Sequence, residues 1–340
     1  MRRLVHSCVA LVLLSCVVPA QQSGYRILEK VKLGGEGGWD YLTADPKTGL
    51  LFISRGTHVQ VMDMGKKSLV GDIPHTNGVH GIALVHELGK GYISDGRDTA
   101  VTVFDLATLK PLKVIKIEGI GPDAIIYDEA SKRIFTFNGR SSDATVIDVA
   151  TDAVVGTVPL GGRPEFAQGD GTGKIFVNIE DKNVIVAFDA KKLDVLARWP
   201  IAPGEEASGL AIDREHHRLF SVCSNKYMIV LNYESGAVVA QLPIDRGPDA
   251  AAFDPETHLA FSSNGEGTLT VVRQENADTY AVIDTVKTQP RSRTMALNPA
   301  NHCVYLAAAE FDKAPEATKE NPRPRPPMVK DSFSILIVGR

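Results

Sequence analysis

The stretch DAIIYDEASKRIFTFNGRSSDATVIDVATDAVVGTVPL, residues 123–160, divides into four short apolar runs separated by turn residues. Asp123-Ala124-Ile125-Ile126-Tyr127 reads as a first strand and residues 128–132 as a turn. Residues 134–138 make a second strand and 139–143 a loop. Thr145-Val146-Ile147-Asp148 is a third strand, Thr151-Asp152 the next turn, and residues 154–160 the fourth strand. β-Branched and aromatic residues fill the runs and suit a pleated, half-buried surface, whereas Gly, Asp, Asn and Pro bound them and favour turns. No stretch of a dozen residues carries a helical period.

The same unit recurs along the chain. An aromatic residue opens each second strand: Phe52, Tyr92, Phe135, Phe176, Phe220, Phe261 and Tyr305, spaced 40 to 44 residues apart. A period in this range with four strands per unit specifies an all-β fold, a seven-bladed β-propeller with four antiparallel strands per blade. The last repeat supplies three strands, near residues 294–297, 304–307 and 333–338, while residues 25–33 precede the first full repeat and lack a blade. This N-terminal segment is expected to pair in the last blade as its outer strand, which closes the ring and removes two open sheet edges. Residues 21–340 then form a single domain.

Residues 1–20 read as a signal peptide: Met1-Arg2-Arg3 is a basic start, residues 4–18 are mostly apolar, and Val18-Pro19-Ala20 is a small-residue cleavage site. Leu13-Leu14-Ser15-Cys16 also resembles a lipoprotein box with Cys16 as the lipid-anchored terminus, but the apolar run continues past Cys16, which favours cleavage after Ala20. Either route predicts a periplasmic or secreted protein. No later segment reaches the roughly twenty apolar residues of a membrane span. A net charge of −4 argues against nucleic acid or an anionic membrane as partner. The mature chain keeps Cys223 and Cys303, in blades that are not neighbours, so no disulfide is expected. Cys303 reads as core, and Cys223, at the loop end of a strand, as core or as a channel-facing thiol. Residues 312–331, rich in Pro and charge, interrupt the last blade as a solvated loop: a tolerated insertion or a flap over the channel.

A propeller's scaffold is generic, so function must sit in the loops at a channel mouth. The position at the start of each innermost strand can be aligned: Asp40, His80, Asp123, Glu165, Ser208, Asp249 and Arg293. Six of these are ionisable, which the scaffold does not require. The loop after each second strand adds Arg55, Asp95, Arg97, Asn138, Arg140, Glu180, Asp181, Asn225, Asn264, Glu266 and Glu310 at the same end. The candidate ligand-binding residues are Asp40, His80, Asp123, Glu165, Asp249 and Arg293, with Glu180, Glu266 and Glu310 as an outer rim. Arg293 suits an anionic group, because its planar fork makes two parallel bonds to an oxyanion. Asp123, Glu165 and Asp249 suit a cation or hydroxyl. Crowded carboxylates raise one another's pKa, a cost typical of ligand and metal sites. A merely hydrated pore with turn-capping Asp residues would show the same ring, and both readings stay open at this point. No hydrolase elbow, zinc-protease helix, haem-attachment or phosphate-loop motif is present, so no catalytic residue and no metal ligand is assigned. His216-His217 falls in a turn at the opposite face and reads as solvated. The expected partner is a small molecule, peptide or protein at the mouth of a monomer. The cofactor is unassigned, with a divalent cation the one a carboxylate ring would suit.

The strand–Asp cores Val59-Gln60-Val61-Met62-Asp63, Val101-Thr102-Val103-Phe104-Asp105, Thr145-Val146-Ile147-Asp148 and Ile185-Val186-Ala187-Phe188-Asp189 repeat, as do Gly121-Pro122-Asp123 and Gly247-Pro248-Asp249. With them the chain resembles the YVTN-type β-propeller repeat family, also called YncE-like, over roughly residues 34–340. The resemblance implies a secreted bacterial seven-bladed propeller and a binding or interaction role. Similar propellers include lactonases and lyases that hold a divalent cation near the channel. A metal-dependent lactonase or lyase using the carboxylate ring is therefore the alternative.

Overall fold

The computed structural model describes residues 23–319, 322 and 324–340. The signal-peptide segment and Cys16 lie outside the described residues. Seven antiparallel sheets of four strands stand in a ring. Blades 1 to 6 are residues 42–73, 79–116, 122–159, 164–200, 207–243 and 248–287; blade 7 combines residues 295–339 with the N-terminal strand Arg26–Lys32. Among the described residues no helix is long and apolar enough to cross a membrane.

The hydrophobic core is divided into seven clusters, one at each blade–blade interface. All seven marker aromatics are buried, and several reach into the adjoining blade. Phe52 packs on Phe104 at 5.8 Å, Phe135 on Phe188 at 5.5 Å, Phe176 on Tyr233 at 4.8 Å and Phe220 on Phe253 at 5.1 Å between ring centroids. The Tyr92 hydroxyl reaches blade 3 by a polar contact, donating to Asp152 at 2.6 Å. The repeat period therefore records where one blade must fill the wedge beside the next.

The seventh interface joins blade 7 to blade 1 through Val31, Leu42, Ile53, Tyr305, Phe333 and Ile335. Strand Arg26–Lys32 pairs antiparallel with Ser334–Gly339, from Arg26 opposite Gly339 to Lys32 opposite Ser334. Its approach is fastened to blades 6 and 7: the Ser23 hydroxyl donates to Asp284 at 2.5 Å, the Tyr25 hydroxyl to the His302 carbonyl at 2.9 Å, and the Tyr25 ring lies 5.2 Å from Phe261. The ring closes as the unpaired strand count predicts.

Two sequence expectations change, for Arg55 and His216, and two open alternatives narrow, for Cys223 and the insertion. Arg55, expected at the mouth, is fully buried. One terminal nitrogen donates to the Gly34 carbonyl and Gln60, the other to the carbonyls of Glu36 and Gly37, at 2.8 to 3.1 Å. Its guanidinium lies 3.7 Å above the Phe333 ring. With no carboxylate to offset desolvation, burial lowers its pKa to about 10. Gly37 accounts for part of the glycine run: its φ is +94°, and a Cβ there would stand 2.5 Å from the Arg55 carbonyl. Cys223 does not face the channel; it is fully buried between blades 4 and 5, and burial pushes its thiol up to about 12. His216 is half-buried rather than solvated, bonded through Nδ1 to Asp213 at 2.7 Å. The Pro-rich insertion starts and ends as a paired stem, with Phe311 bridged to Met328. Phe311 is held between Trp39, at 6.2 Å, and the Arg291 guanidinium, at 4.5 Å, and the insertion reaches the mouth, as described below.

Deleting residues 23–33 should open the ring at two strand edges and lower the melting temperature sharply, with aggregation visible by light scattering; an unchanged melting curve would refute closure by this strand. Arg55→Ala strands three carbonyls, and urea unfolding should register a loss of about 2–4 kcal/mol.

Candidate functional site

Five of the seven aligned channel residues sit at an irregularity in their strands, and Asp40 and Arg293 lie just before their strands begin. The register of the innermost pair slips between Val79 and Ile82, Pro122 and Ile125, Pro164 and Ala167, Ala207 and Leu210, and Pro248 and Ala250. His80, Asp123, Glu165, Ser208 and Asp249 occupy those slips. A bulge re-aims a side chain that a regular pleat would send elsewhere. Proline at 122, 164 and 248 stands at the first strand position, where its missing N–H costs least. The end of the second strand then fastens the backbone of these positions. Ser54 Oγ accepts the Asp40 N–H at 2.8 Å, Asn178 donates to the Ser208 carbonyl at 2.9 Å, and the Ser263 hydroxyl donates to the Arg293 carbonyl.

Three of the candidates meet directly. His80 Nδ1 lies 2.6 Å from Asp40 and 3.5 Å from Asp123, and ligand atoms of the three residues all fall within 4.8 Å of one another. They come from three successive blades. Burial alone would lower the His80 pKa, but Asp40 and Asp123 outweigh it and hold the imidazole above its ordinary value. Glu165 and Glu180 form a second centre beside Asp123. Burial first, then the charges of Asp123 and Glu180, push Glu165 up to about 9. Glu180 also carries an ion pair with Arg163. Burial raises Asp123 to about 6 against the pull of His80, and Asp249 to about 7 against Arg293, which stands 3.3 Å away.

Two candidates stay apart. Glu266 is exposed and paired with Arg246 at 3.6 Å, and Glu310 pairs with Lys30 of the closing strand at 3.5 Å. Among the loop residues, Asp95, Asn138 and Asn264 are buried and do not reach the pore. Each bonds a threonine of the third strand, Thr102, Thr145 or Thr270, at 2.5 to 3.0 Å.

Two aromatic rings narrow the channel one residue past the acidic tier. Tyr41 and Phe166, from blades 1 and 4, meet with ring centroids 4.4 Å apart. Burial, followed by the charges of Asp123, Asp40, Glu165 and Asp249, raises the Tyr41 pKa well above the ordinary value. Above this floor lies a cavity of about 660 Å³, lined by Asp40, His80, Asp123 and Glu165 below and by Arg97, Arg140, Arg163 and Arg325 above. Arg325 belongs to the Pro-rich insertion. A separate cavity of about 400 Å³ opens at the other end, lined among others by Asp45, His86 and Asp128.

Sequence reasoning passed over Tyr41, Phe166 and Arg325. The first two had a readable signal: the residue after each aligned channel position is Tyr41, Gly81, Ala124, Phe166, Gly209, Ala250 and Thr294, so two aromatics interrupt a series of small residues. Arg325 had none, because its location depends on how the insertion folds back.

No family model and no curated protein sequence matches the chain. Solved structures do. A chain of Kuenenia stuttgartiensis hydrazine synthase superposes with a TM-score of 0.68 at 17% identity, over 81% of this chain and 93% of that one. A chain of a mitotic checkpoint complex superposes with a TM-score of 0.71 at 11% identity, over 100% and 98%. These likenesses establish the propeller fold, which commonly serves as a binding or interaction module.

The raised carboxyl groups predict a pH dependence. Asp123, Asp249 and Glu165 have folded pKa values of about 6, 7 and 9 against ordinary values of 3.8, 3.8 and 4.5. The folded protein therefore binds more protons than the unfolded chain, and the stability these groups contribute is full below about pH 4 and lost as pH rises through 6 to 9. The melting temperature of metal-free protein should fall over that range, and Glu165→Gln should flatten its upper part. A Gln variant that melts earlier than wild type at pH 8.5 would mean that the glutamate is a structural cap.

Proposed function

We propose that this protein is an exported binding module of the YVTN-type propeller kind, and that it takes a small polar ligand in the basin over blades 1 to 4. One observation carries the reading: Asp40, His80 and Asp123 converge from three blades to within 4.8 Å at the wall of a cavity of about 660 Å³. Bulges re-aim two of the three, and the neighbouring carboxyl groups are held in a desolvated state that a scaffold gains nothing from. Proteins accept such a cost where a ligand, cation or proton compensates it. The aromatic pair supports the same reading, because a basin narrowed by two rings desolvates a ligand more fully than a wide pore. Export is supported by the basic, apolar and small-residue order of residues 1–20.

A second reading is favoured by the same triad. Two carboxylates and an imidazole make a donor set for a divalent cation, which would act on a lactone or ester carbonyl as a Lewis acid in a lactonase or lyase. The cation would have to displace the proton that His80 shares with Asp40, so its binding should tighten with rising pH.

Thermal-shift screening of metals and small metabolites against wild type and D40N/D123N separates the outcomes. A melting shift with a small molecule that the double variant loses supports the binding reading. Stoichiometric metal after dialysis, lost in the double variant and accompanied by lactone turnover that chelation abolishes, selects the enzyme. If no compound shifts the wild type and D40N/D123N melts several degrees lower, the triad is structural and both readings fall. Intact mass of the exported protein tests the compartment: a chain beginning at Gln21 is expected, and a lipid-modified Cys16 would replace it with an anchored form.

A further inference from the structure

The charged groups around the basin divide into paired and unpaired sets. His80 is bonded to Asp40, Arg163 to Glu180 and Arg293 to Asp249. Arg293, which the sequence suggests as an anion anchor, is thus committed to a carboxylate and stands outside the cavity lining. Arg97, Arg140 and Arg325 line the cavity, and their guanidinium groups make no hydrogen bond or ion pair among the described residues. Two of the three are held in place by their stems. The Cγ of Arg97 lies 2.6 Å from where a Cβ of Gly78 would be, and that of Arg140 lies 3.1 Å from a Cβ of Gly121. Each stem rests on the glycine that begins its own blade's approach, and no larger residue would fit beneath Arg97. The guanidinium groups are presented at the rim without a partner, while carboxylates crowd the floor.

We propose that the rim of Arg97, Arg140 and Arg325 binds the oxyanion head of a small ligand whose other end is a neutral, hydroxyl-bearing chain directed at Asp40, Asp123 and Glu165. This rests on the basin being the binding site. A guanidinium fork matches the oxygen spacing of a phosphate or carboxylate and binds it in two parallel bonds. Three such forks around one opening exceed what a single carboxylate needs and suit a dianionic head. The floor repels a second negative charge and offers acceptors to hydroxyl donors. The ligand is therefore polar in a directional sense: anionic at one end only. The two phosphate sources that share this chemistry are a phosphate monoester and free inorganic phosphate, and they differ in whether the floor contributes.

Titration calorimetry on the full exported chain at low ionic strength and neutral pH tests this with glycerol 3-phosphate, inorganic phosphate, glycerol and succinate as probes. Glycerol 3-phosphate should bind most tightly, inorganic phosphate more weakly, and glycerol and succinate least. The double variant R97Q/R140Q, which keeps part of each stem, should weaken glycerol 3-phosphate by about a hundredfold, or about tenfold per arginine. R325Q, outside the blade sheets, should weaken it about tenfold and leave the melting temperature alone, so a folding defect in the double variant would not remove the test. Added salt should weaken binding in wild type more than in R97Q/R140Q. Succinate binding as tightly as glycerol 3-phosphate, unchanged affinity in the arginine variants, or no heat with either phosphate overturns the proposal. If the arginine variants bind glycerol 3-phosphate normally while D40N/D123N does not, the oxyanion rim fails and the basin stands. If neither set of substitutions changes that binding, the basin reading fails with it.

Discussion

The constraint on which this molecule depends is that its hydrophobic core is circular. There is no central core, because the axis is a channel; instead seven apolar wedges lie between blades, and each blade has two neighbours to satisfy. A linear stack of seven such units would keep six interfaces and leave two sheet faces in water. The strand Arg26–Lys32 removes that defect by hydrogen-bonding the last blade from the first segment of the chain. Arg55 then ties the turn after this strand to Gly34, Glu36 and Gly37 and stacks on Phe333 of blade 7. A buried cation held by carbonyls and a ring face stands where other blades bury Asp95, Asn138 or Asn264. Its position matters for the site, because the turn it fastens leads directly into Trp39 and Asp40.

The basin follows from this closure. Asp40 meets His80 and Asp123 because blades 1, 2 and 3 are pressed side by side around the axis, and residues forty positions apart in sequence become neighbours only at the inner radius. The same radius brings Tyr41 against Phe166. Charge is sorted by height: carboxyl groups share the narrow, desolvated level just above the aromatic pair, and arginines stand at the wider rim, where their guanidinium groups keep contact with water and their stems lie on glycine. A wide rim tolerates like charges that the narrow level would not.

The scaffold was legible in the sequence because it repeats. Each marker aromatic, each strand–Asp turn and the missing fourth strand of the last blade report a local requirement that recurs in every unit, so period and count lead directly to closure. The ring of channel residues was legible for the same reason: aligned positions reveal an excess of charge that no single blade would betray. What alignment could not supply is partnership. Arg55, Asp95 and Asn138 occupy loop ends like those of Arg97 and Arg140, yet the first three turn inward to bond carbonyls or threonines and the last two reach the basin. Whether an arginine is spent on a glycine turn or presented to solvent depends on the local path of the chain, such as the fold of residues 34–38, which occurs once and has no counterpart in the repeat. Arg325 is the extreme case, since its insertion belongs to no repeat.

The contact between Tyr41 and Phe166 has a kinetic meaning. A propeller axis is often pictured as a conduit, but here the aromatic pair narrows it between a cavity at each end. On the proposed function, a ligand seated over Asp40 would load and unload from the side of Arg325, and its residence time would be set at that rim.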